Sequence, residues 1–597
     1  MGVRGVQFKF FFVNITNKII DYPPNYCPTY AQIDGVVDGK LLTEVHKCLL
    51  AVAESKDIEL VTKQIFHILK RIQKSIPLWE SSLKMETPEH LLKFQQENIN
   101  SCLKLASDLE GEGIKRRCEN SEFQNESSNI VIDIQSEWQR TRIAKNVEIK
   151  LAAGGKVTLD NIRYCGPKSP SKKKEKKKGR KKKNRGKNGN GCYSSLERLG
   201  IIEGITPLLA SEVALEATEG PSMECARERL DRRNITLTTE QVREISENFG
   251  IDGLALRLEW VKSGKIPNGM EFKSGKGRIL LIEFDGFKIR LRQGKKGRIA
   301  KDKKRHGFFL HWTETKSFLI REINEEGRKI PEGLSIIDGT LGTADDMFSL
   351  LEMYLFHSEI YLERYDYIVF GSDGAEWIHS RVKALAEKLH VPEEKIWMFV
   401  DWYHATEHLW EIANARKGWK QNDRETWVKK AKDLLWNEDI SGLVAHIDVL
   451  CVGRNAKDIE KQKKYFVKNA SRMRYSTMKA LSLPIGSGAI ESVGKQTINL
   501  RLKGPGITWL PINAEAGIMM RSYLKSGNWA MYTLMVVNFR ARRFDIEHPA
   551  REMTISDLRE GVVVEVPVHP KSENRNTNIH NYYMAQDSDI IELLITA

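Results

Sequence analysis

The hydrophobic pattern divides the chain into stretches of different period. From Leu41 to Leu78 apolar residues recur at helical spacing (Leu49, Val52, Ile58, Val61, Ile65, Leu69, Ile72), and 88–110 continues as helix. Glu110–Ser128 is polar and is expected as loop. A second block, 196–250, predicts three short helices near Thr206–Thr218, Pro221–Arg232 and Thr238–Asn248, with Ala226, Leu230, Ile235, Val242 and Ile245 as its apolar centre. Thr238 or Thr239 is placed to cap the third helix.

From Gly277 the period changes to two. Ile279–Phe284 is apolar, then Phe287, Ile289 and Leu291 alternate with Lys288, Arg290 and Arg292, which predicts a half-buried strand. Phe308–Ile320 and Ser335–Ile337 predict two further strands. Then come a helix at Ala344–Ile360, a strand at Tyr367–Phe370, a helix at Trp377–Leu389 and a strand at Ile396–Val400. A strand meander followed by alternating helix and strand implies an α/β unit, a mixed sheet with helices on both faces. Between Tyr403 and Leu481 the period is helical again. Gly486-Ser-Gly488 then opens a helix with Glu491 in its first turn, and Gly504-Pro505-Gly506 ends it. Val562–Val568 predicts a last strand.

Charge changes this picture in one place. The 597 residues carry a formal +15, and the segment Lys168–Lys187 supplies +12 of it, with 13 Lys and Arg against the single acid Glu175. Such a tract cannot be buried and is expected to be disordered alone. On DNA, Lys172, Lys173, Lys174, Arg180 and Lys181 would displace counterions and give sequence-blind affinity; the plain alternative is a solvated linker. The eight cysteines are scattered without a Cys-x-x-Cys pair, which argues against a zinc ribbon or a disulfide framework. No run approaches 18 apolar residues, so a soluble, cytoplasmic protein is expected.

The resulting division is a helical region of unassigned role at 1–150, a basic linker at 151–195 and a helix-turn-helix-like, DNA-binding domain at 196–252. An α/β domain follows at 270–545, interrupted by an all-α insertion at about 405–480, and a tail closes the chain at 546–597. In the helix-turn-helix reading Gln241 and Arg243 would face bases. Glu240, Glu244 and Glu247 make that helix acidic, so a purely structural three-helix unit stands beside it.

Asp285 and Asp373 each follow an apolar strand, 88 residues apart, and Glu491 lies 118 residues further on. Carboxylates brought together at strand ends suit two divalent ions and phosphodiester chemistry. The Asp-Gly dipeptide alone selects nothing, since the chain has six, at 34, 38, 252, 285, 338 and 373. His404-Ala-Thr-Glu-His408 raises a rival, because two histidines at i and i+4 share a helix face as in inverted zinc peptidases. Arg501, Lys503 and Trp509 would track a phosphate backbone and stack on a base, or else be surface charge and core tryptophan.

Several motifs resemble prokaryotic insertion-sequence DDE transposases of the Kra type. They are Gly486-Ser-Gly-Ala-Ile-Glu-Ser492, Asn499-Leu-Arg-Leu-Lys-Gly-Pro-Gly506, Trp509 and Arg521-Ser-Tyr-Leu-Lys-Ser-Gly-Asn-Trp529. Leu199-Gly-Ile201, Ala210-Ser-Glu-Val-Ala214, Trp312-Thr-Glu314, Lys316 and Asp338-Gly-Thr-Leu341 also match, so the resemblance spans about 195–530. It implies an RNase H-like catalytic core with a helical insertion before the glutamate. Asp285, Asp373 and Glu491 would be the catalytic carboxylates binding two Mg²⁺ or Mn²⁺ ions, and Asp338 is a weaker candidate. Asp401-Trp-Tyr-His404 resembles an Asp/Cys-x-x-His element of such enzymes, which implies an auxiliary role for Asp401 and His404. The implied activity is end cleavage and strand transfer of an insertion sequence. The implied partners are terminal and target DNA and a second copy of the chain, at the nucleoid. An RNase H-like nuclease without joining, and a non-catalytic DNA-binding regulator, are the alternatives.

Overall fold

The computed structural model describes residues 47, 51, 58–82, 85–134, 139–165, 191–264, 267, 270–272, 277–295, 308–331, 333–356, 360–453 and 455–541. The basic tract and the tail with Val562–Val568 lie outside them. Contacts divide the chain into Met1–Lys115 with Ala153–Lys156, and Arg116–Ala152 with Val157–Ala597. In the first unit α1 (Ile58–Ser82) meets α2 (Pro88–Glu119) through polar side chains: Arg71 Nε donates to Asp108 Oδ2 at 3.0 Å, and Ser75 bonds Ser101 at 3.0 Å.

Two expectations for the first 150 residues change. Glu110–Ser128 is helical, the end of α2 and most of α3 (Ser121–Ile134), because Glu, Lys, Arg and Gln are good helix formers and polarity only marks the exposed face. The inner face buries Cys118 and Phe123, with the guanidinium groups of Arg117 and Arg198 over the Phe123 ring at 4.1 and 4.7 Å. A three-stranded sheet follows, β1 (Gln139–Lys150), β2 (Lys156–Cys165) and β3 (Gly191–Tyr193), where only helix was expected before residue 150.

Four helices come next, α4 (Ser194–Arg198), α5 (Pro207–Glu219), α6 (Met223–Asp231) and α7 (Thr239–Ser263). α7 starts at a capping box between Thr238 and Gln241 and ends at Gly264, whose φ of 65° suits glycine. It runs well past Asn248, and its second half (Leu254, Leu256, Trp260) enters the core of the main sheet. The Asp252-Gly253 pair therefore lies inside a helix rather than a hairpin, and Asp252 accepts from buried Arg540 at 2.7 Å.

The main sheet has five strands, β4 (Ile279–Lys295), β5 (Phe308–Ile323), β6 (Ser335–Thr340), β7 (Tyr367–Ser372) and β8 (Ile396–Val400), in the order β6-β5-β4-β7-β8. The first three strands are antiparallel, and β7 and β8 run parallel to β4. α8 (Ala344–Leu355) and α9 (Glu376–Lys388) connect them. Period two sends Leu280, Ile282 and Phe284 to one face, into a core shared with Phe249, Trp260, Leu351 and Phe370. Ile279 and Leu281 go to the other, against Val369, Phe399, Met478 and Leu483.

Beyond β8 the helical segment has its own core. It comprises α10 (Trp402–Ala415), α11 (Gln421–Trp436), α12 (Ile440–Asp448), α13 (Ala456–Asn469) and α14 (Tyr475–Ala480), joined through Leu409, Ala431, Leu443, Ile447 and Phe466. α15 (Gly488–Gly494) then returns to the sheet and passes through a π-helical turn, Lys495–Asn499, to Leu502. Arg521 donates to the Gln496 carbonyl at 3.0 Å, satisfying an oxygen in that turn. α16 (Pro511–Lys525) and α17 (Trp529–Ala541) complete the unit. No described helix is long and apolar enough to cross a membrane.

Asp338 belongs to this scaffold. It is fully buried, receives Arg257 Nη1 and the Tyr354 hydroxyl at 3.0 and 2.9 Å, and shares Arg257 with Glu515. Asp338→Ala leaves Arg257 balanced by Glu515 but takes a buried acceptor away from Arg257 and from the Tyr354 hydroxyl. It is expected to cost about 1–3 kcal/mol, read as a lowered urea midpoint with an unchanged slope.

Candidate active site

Strand register assembles the site before any side chain is considered. Glu283 pairs with Gly371 in the parallel β4–β7 ladder, so two residues on the same offset sets Asp285 level with Asp373. Ser372 pairs with Val400 in the β7–β8 ladder, which sets Asp401 level with Asp373. All three have the parity of Leu281 and Phe399, hence the sheet face on which α15 lies. Helix α15 packs there through Ile490, against Leu319 and Ile337. Its Gly494 touches the Phe287 ring so closely that an added Cβ would fall 1.8 Å from a ring carbon.

Asp285 is half-buried, and its Oδ1 accepts the Gly286 N–H at 2.6 Å. Burial first, then the charges of Asp373 and Glu491, push its pKa up to about 6, against the opposing Gly286 bond and His404. Asp373 is exposed at the turn after β7; its Oδ1 accepts Ala375 N–H at 3.0 Å, and Gly374 turns the chain at φ 94°. Tyr465 of the helical segment donates its hydroxyl to the Asp373 carbonyl at 3.1 Å. Glu491 is exposed in the first turn of α15. Three carboxylates from three distant parts of the chain thus share one field at the level where β7 ends.

Asp401 has a different place. It is buried, and Oδ1 caps α10 by accepting His404 N–H at 2.7 Å. Its Oδ2 accepts from the Ser487 amide, and from the Ser487 hydroxyl at 2.8 Å. His404 is half-buried, with Nδ1 3.3 Å from Glu407. The His404 and His408 rings share a face at 4.9 Å, as i, i+4 spacing requires. His408 Nδ1 is bonded to Gln462 at 2.6 Å, and burial lowers its pKa.

A fifth carboxylate was not singled out from the sequence. Glu283 is fully buried on β4, and Oε2 accepts the Ile490 amide at 2.9 Å, while Oε1 has no hydrogen-bond partner. Burial, partly offset by Arg321 and this bond, raises its pKa to about 7. The signal was present in Ile279-Leu-Leu-Ile-Glu-Phe284, since an acid inside a buried run needs a partner.

Among the described residues, the trio of candidate ligand atoms lying within 4.8 Å of one another is Asp448, Cys451 and Glu460. Lys463 occupies that cluster, 2.8 Å from Asp448 and 2.8 Å from Glu460. At least one separation among Asp285, Asp373 and Glu491 is therefore wider. Their donor set is all carboxylate, and His404 offsets the charges of Asp373 and Glu491 at Asp285 only in part, so the excess negative charge fits a hard divalent cation. The His404–His408 pair gains no third ligand of this kind among the described residues.

The expected DNA-facing residues separate. Gln241 is engaged in the capping box, its Oε1 accepting Thr238 N–H at 3.0 Å, and Arg243 pairs with Glu240 one turn earlier. Arg501 is buried; it donates to the Ala217 carbonyl at 3.3 Å and lies 4.9 Å over the Trp509 ring. Trp509 donates its indole N–H to Leu502 at 3.1 Å. Both therefore tie the α15 extension into the scaffold, whereas Lys503 is exposed. Lys172, Lys173, Lys174, Arg180 and Lys181 lie outside the described residues.

No family model, curated protein or solved structure matches the chain.

The raised Asp285 pKa fixes the sign of a stability effect. Its folded value of about 6 lies above the unfolded ~3.9. The native state then binds more protons between these values, and stability falls as pH rises from about 4 to about 6. Asp285→Asn is expected to remove this decline and to raise stability at pH 7 by about 1–2 kcal/mol. Thermal melts in a chelator across pH 4–8 measure it.

Proposed function

We propose that the chain is a DDE-type DNA transposase, its five-stranded sheet serving as an RNase H-like catalytic core interrupted by the helical segment after β8. The observation that carries this reading is the common level of Asp285 and Asp373 on β4 and β7, with the Glu491 charge acting on Asp285. An order of three antiparallel strands continued by two parallel ones supports it, as do the motifs in Gly486–Ser492 and Asn499–Gly506.

Asp285, Asp373 and Glu491 would hold the divalent ions. When bound, such ions supply Lewis-acid activation of an attacking hydroxyl and stabilise charge on the phosphate. In the first step a water oxygen bonds to phosphorus at an element end, and the strand's 3′-oxygen leaves and takes up a proton. In the second that 3′-hydroxyl bonds to a target phosphorus while the target's own 3′-oxygen leaves. The chain's part is to orient and to hold charge. At neutral pH Asp285 is mostly ionised, and His404 stands close enough to act on that charge. Exposed Lys503 would meet the phosphate backbone, and the tract at Lys168–Lys187 would add salt-dependent affinity. Two ends must be handled together, so a dimer or larger assembly in the cytoplasm, on the nucleoid, accompanies this reading.

Purified protein incubated with Mg²⁺ or Mn²⁺ and labelled DNA from the flanks of its own gene tests the proposal. Metal-dependent cleavage at the flanks with joined products is expected. Glu491→Gln should reduce both at least about 100-fold, since even partners outside the ligand set cost 10–100-fold. Cleavage without joining would indicate a nuclease, and binding without cleavage a regulator. Variant activity equal to wild type would remove Glu491 from the site.

A further inference from the structure

Helix α15 makes no capping bond with its own N-cap side chain, Ser487. Its first N–H groups therefore need partners from elsewhere. Two buried carboxylates of the sheet provide them. Asp401, at the end of β8, accepts from the Ser487 amide and hydroxyl, and Glu283, inside β4, accepts the Ile490 amide at 2.9 Å. Glu283 is 0% exposed and Asp401 2%. The Ile490 side chain is itself buried on Leu319 and Ile337. The backbone immediately before Glu491 is thus fixed by a bond and by packing, while the Glu491 side chain stands in solvent.

An acid at position 283 is costly for a scaffold alone. One of its oxygens has no hydrogen-bond partner, and an apolar residue would fill this strand face more cheaply. We propose that Glu283 is a positioning residue for Glu491: from within the sheet it holds the Ile490 amide, and so sets the first turn of α15 at the level of Asp285 and Asp373. The inference takes Glu491 as a functional carboxylate from the proposed function, but the geometry it asserts can be measured without activity.

Glu283→Met removes the acceptor at similar volume, and Glu283→Gln keeps an oxygen that can accept the Ile490 N–H. Amide hydrogen exchange on the full chain, read by mass spectrometry, is the first readout. In Glu283→Met, exchange across 487–494 should quicken at least about tenfold, with 279–284 and 367–372 unchanged. Mn²⁺-dependent cleavage at saturating DNA should fall about 10–100-fold with DNA affinity unaltered. Glu283→Gln should keep wild-type exchange in 487–494 and cleavage within about threefold. Wild-type exchange in Glu283→Met would overturn the proposal. So would equal impairment of both variants, which would assign the effect to charge, or exchange quickened throughout the sheet, which would mean a general structural role. If the wild-type protein cleaves no DNA, the transposase reading falls, and the exchange comparison still decides whether Glu283 sets α15.

Discussion

The parallel pairing of β4 with β7 is the constraint from which the candidate site follows. β4 is the central strand, buried on both faces over Ile279–Phe284, and it pairs with β5 on one edge and β7 on the other. Because side chains alternate with period two, a one-residue slip in this pairing would turn Asp373 to the opposite face from Asp285. Burial of Ile368 and Phe370 on one side and Val369 on the other makes such a slip prohibitive. Hydrophobic burial thereby fixes the relative place of two polar residues that lie 88 positions apart.

Electrostatics opposes what packing imposes. Asp285 is ionised with difficulty because it is half-buried and shares its field with Asp373 and Glu491. The site stores this repulsion in a rigid frame and keeps its carboxylates level although they do not attract one another. Under the proposed function this arrangement would hold a divalent cation. The contrast with Asp338 is instructive. That aspartate also precedes a glycine, yet it is buried in the core with Arg257 on one oxygen and the Tyr354 hydroxyl on the other, so both oxygens are already occupied.

The helical segment between Asp401 and Ser487 folds around its own core and then hands the chain back to the sheet. Two of its hydrogen-bonded contacts with the site are local. Asp401 both caps α10 and holds Ser487, so one carboxylate joins the start of the segment to its end. Tyr465, from α13, reaches the Asp373 carbonyl. The segment therefore braces the carboxylate cluster as well as extending the chain.

Local pattern determined much of this protein. Alternation at Phe287, Ile289 and Leu291 marked β4, the apolar runs marked β7 and β8, and Asp373 and Asp401 follow those runs directly while Asp285 lies inside β4, because periodicity and turn chemistry act over a few residues. Whether a polar side chain is a ligand, a cap or a buried strut was decided only by tertiary structure. Gln241 is consumed by a cap, Arg501 reaches Ala217 across 284 positions, and Glu283 meets Ile490 across 207. The polar stretch Glu110–Ser128 became helix because burial of Cys118 and Phe123 gave one face a partner that its composition did not announce. Desolvation and hydrogen-bond satisfaction depend on which distant elements meet, and that information is not carried by spacing along the chain.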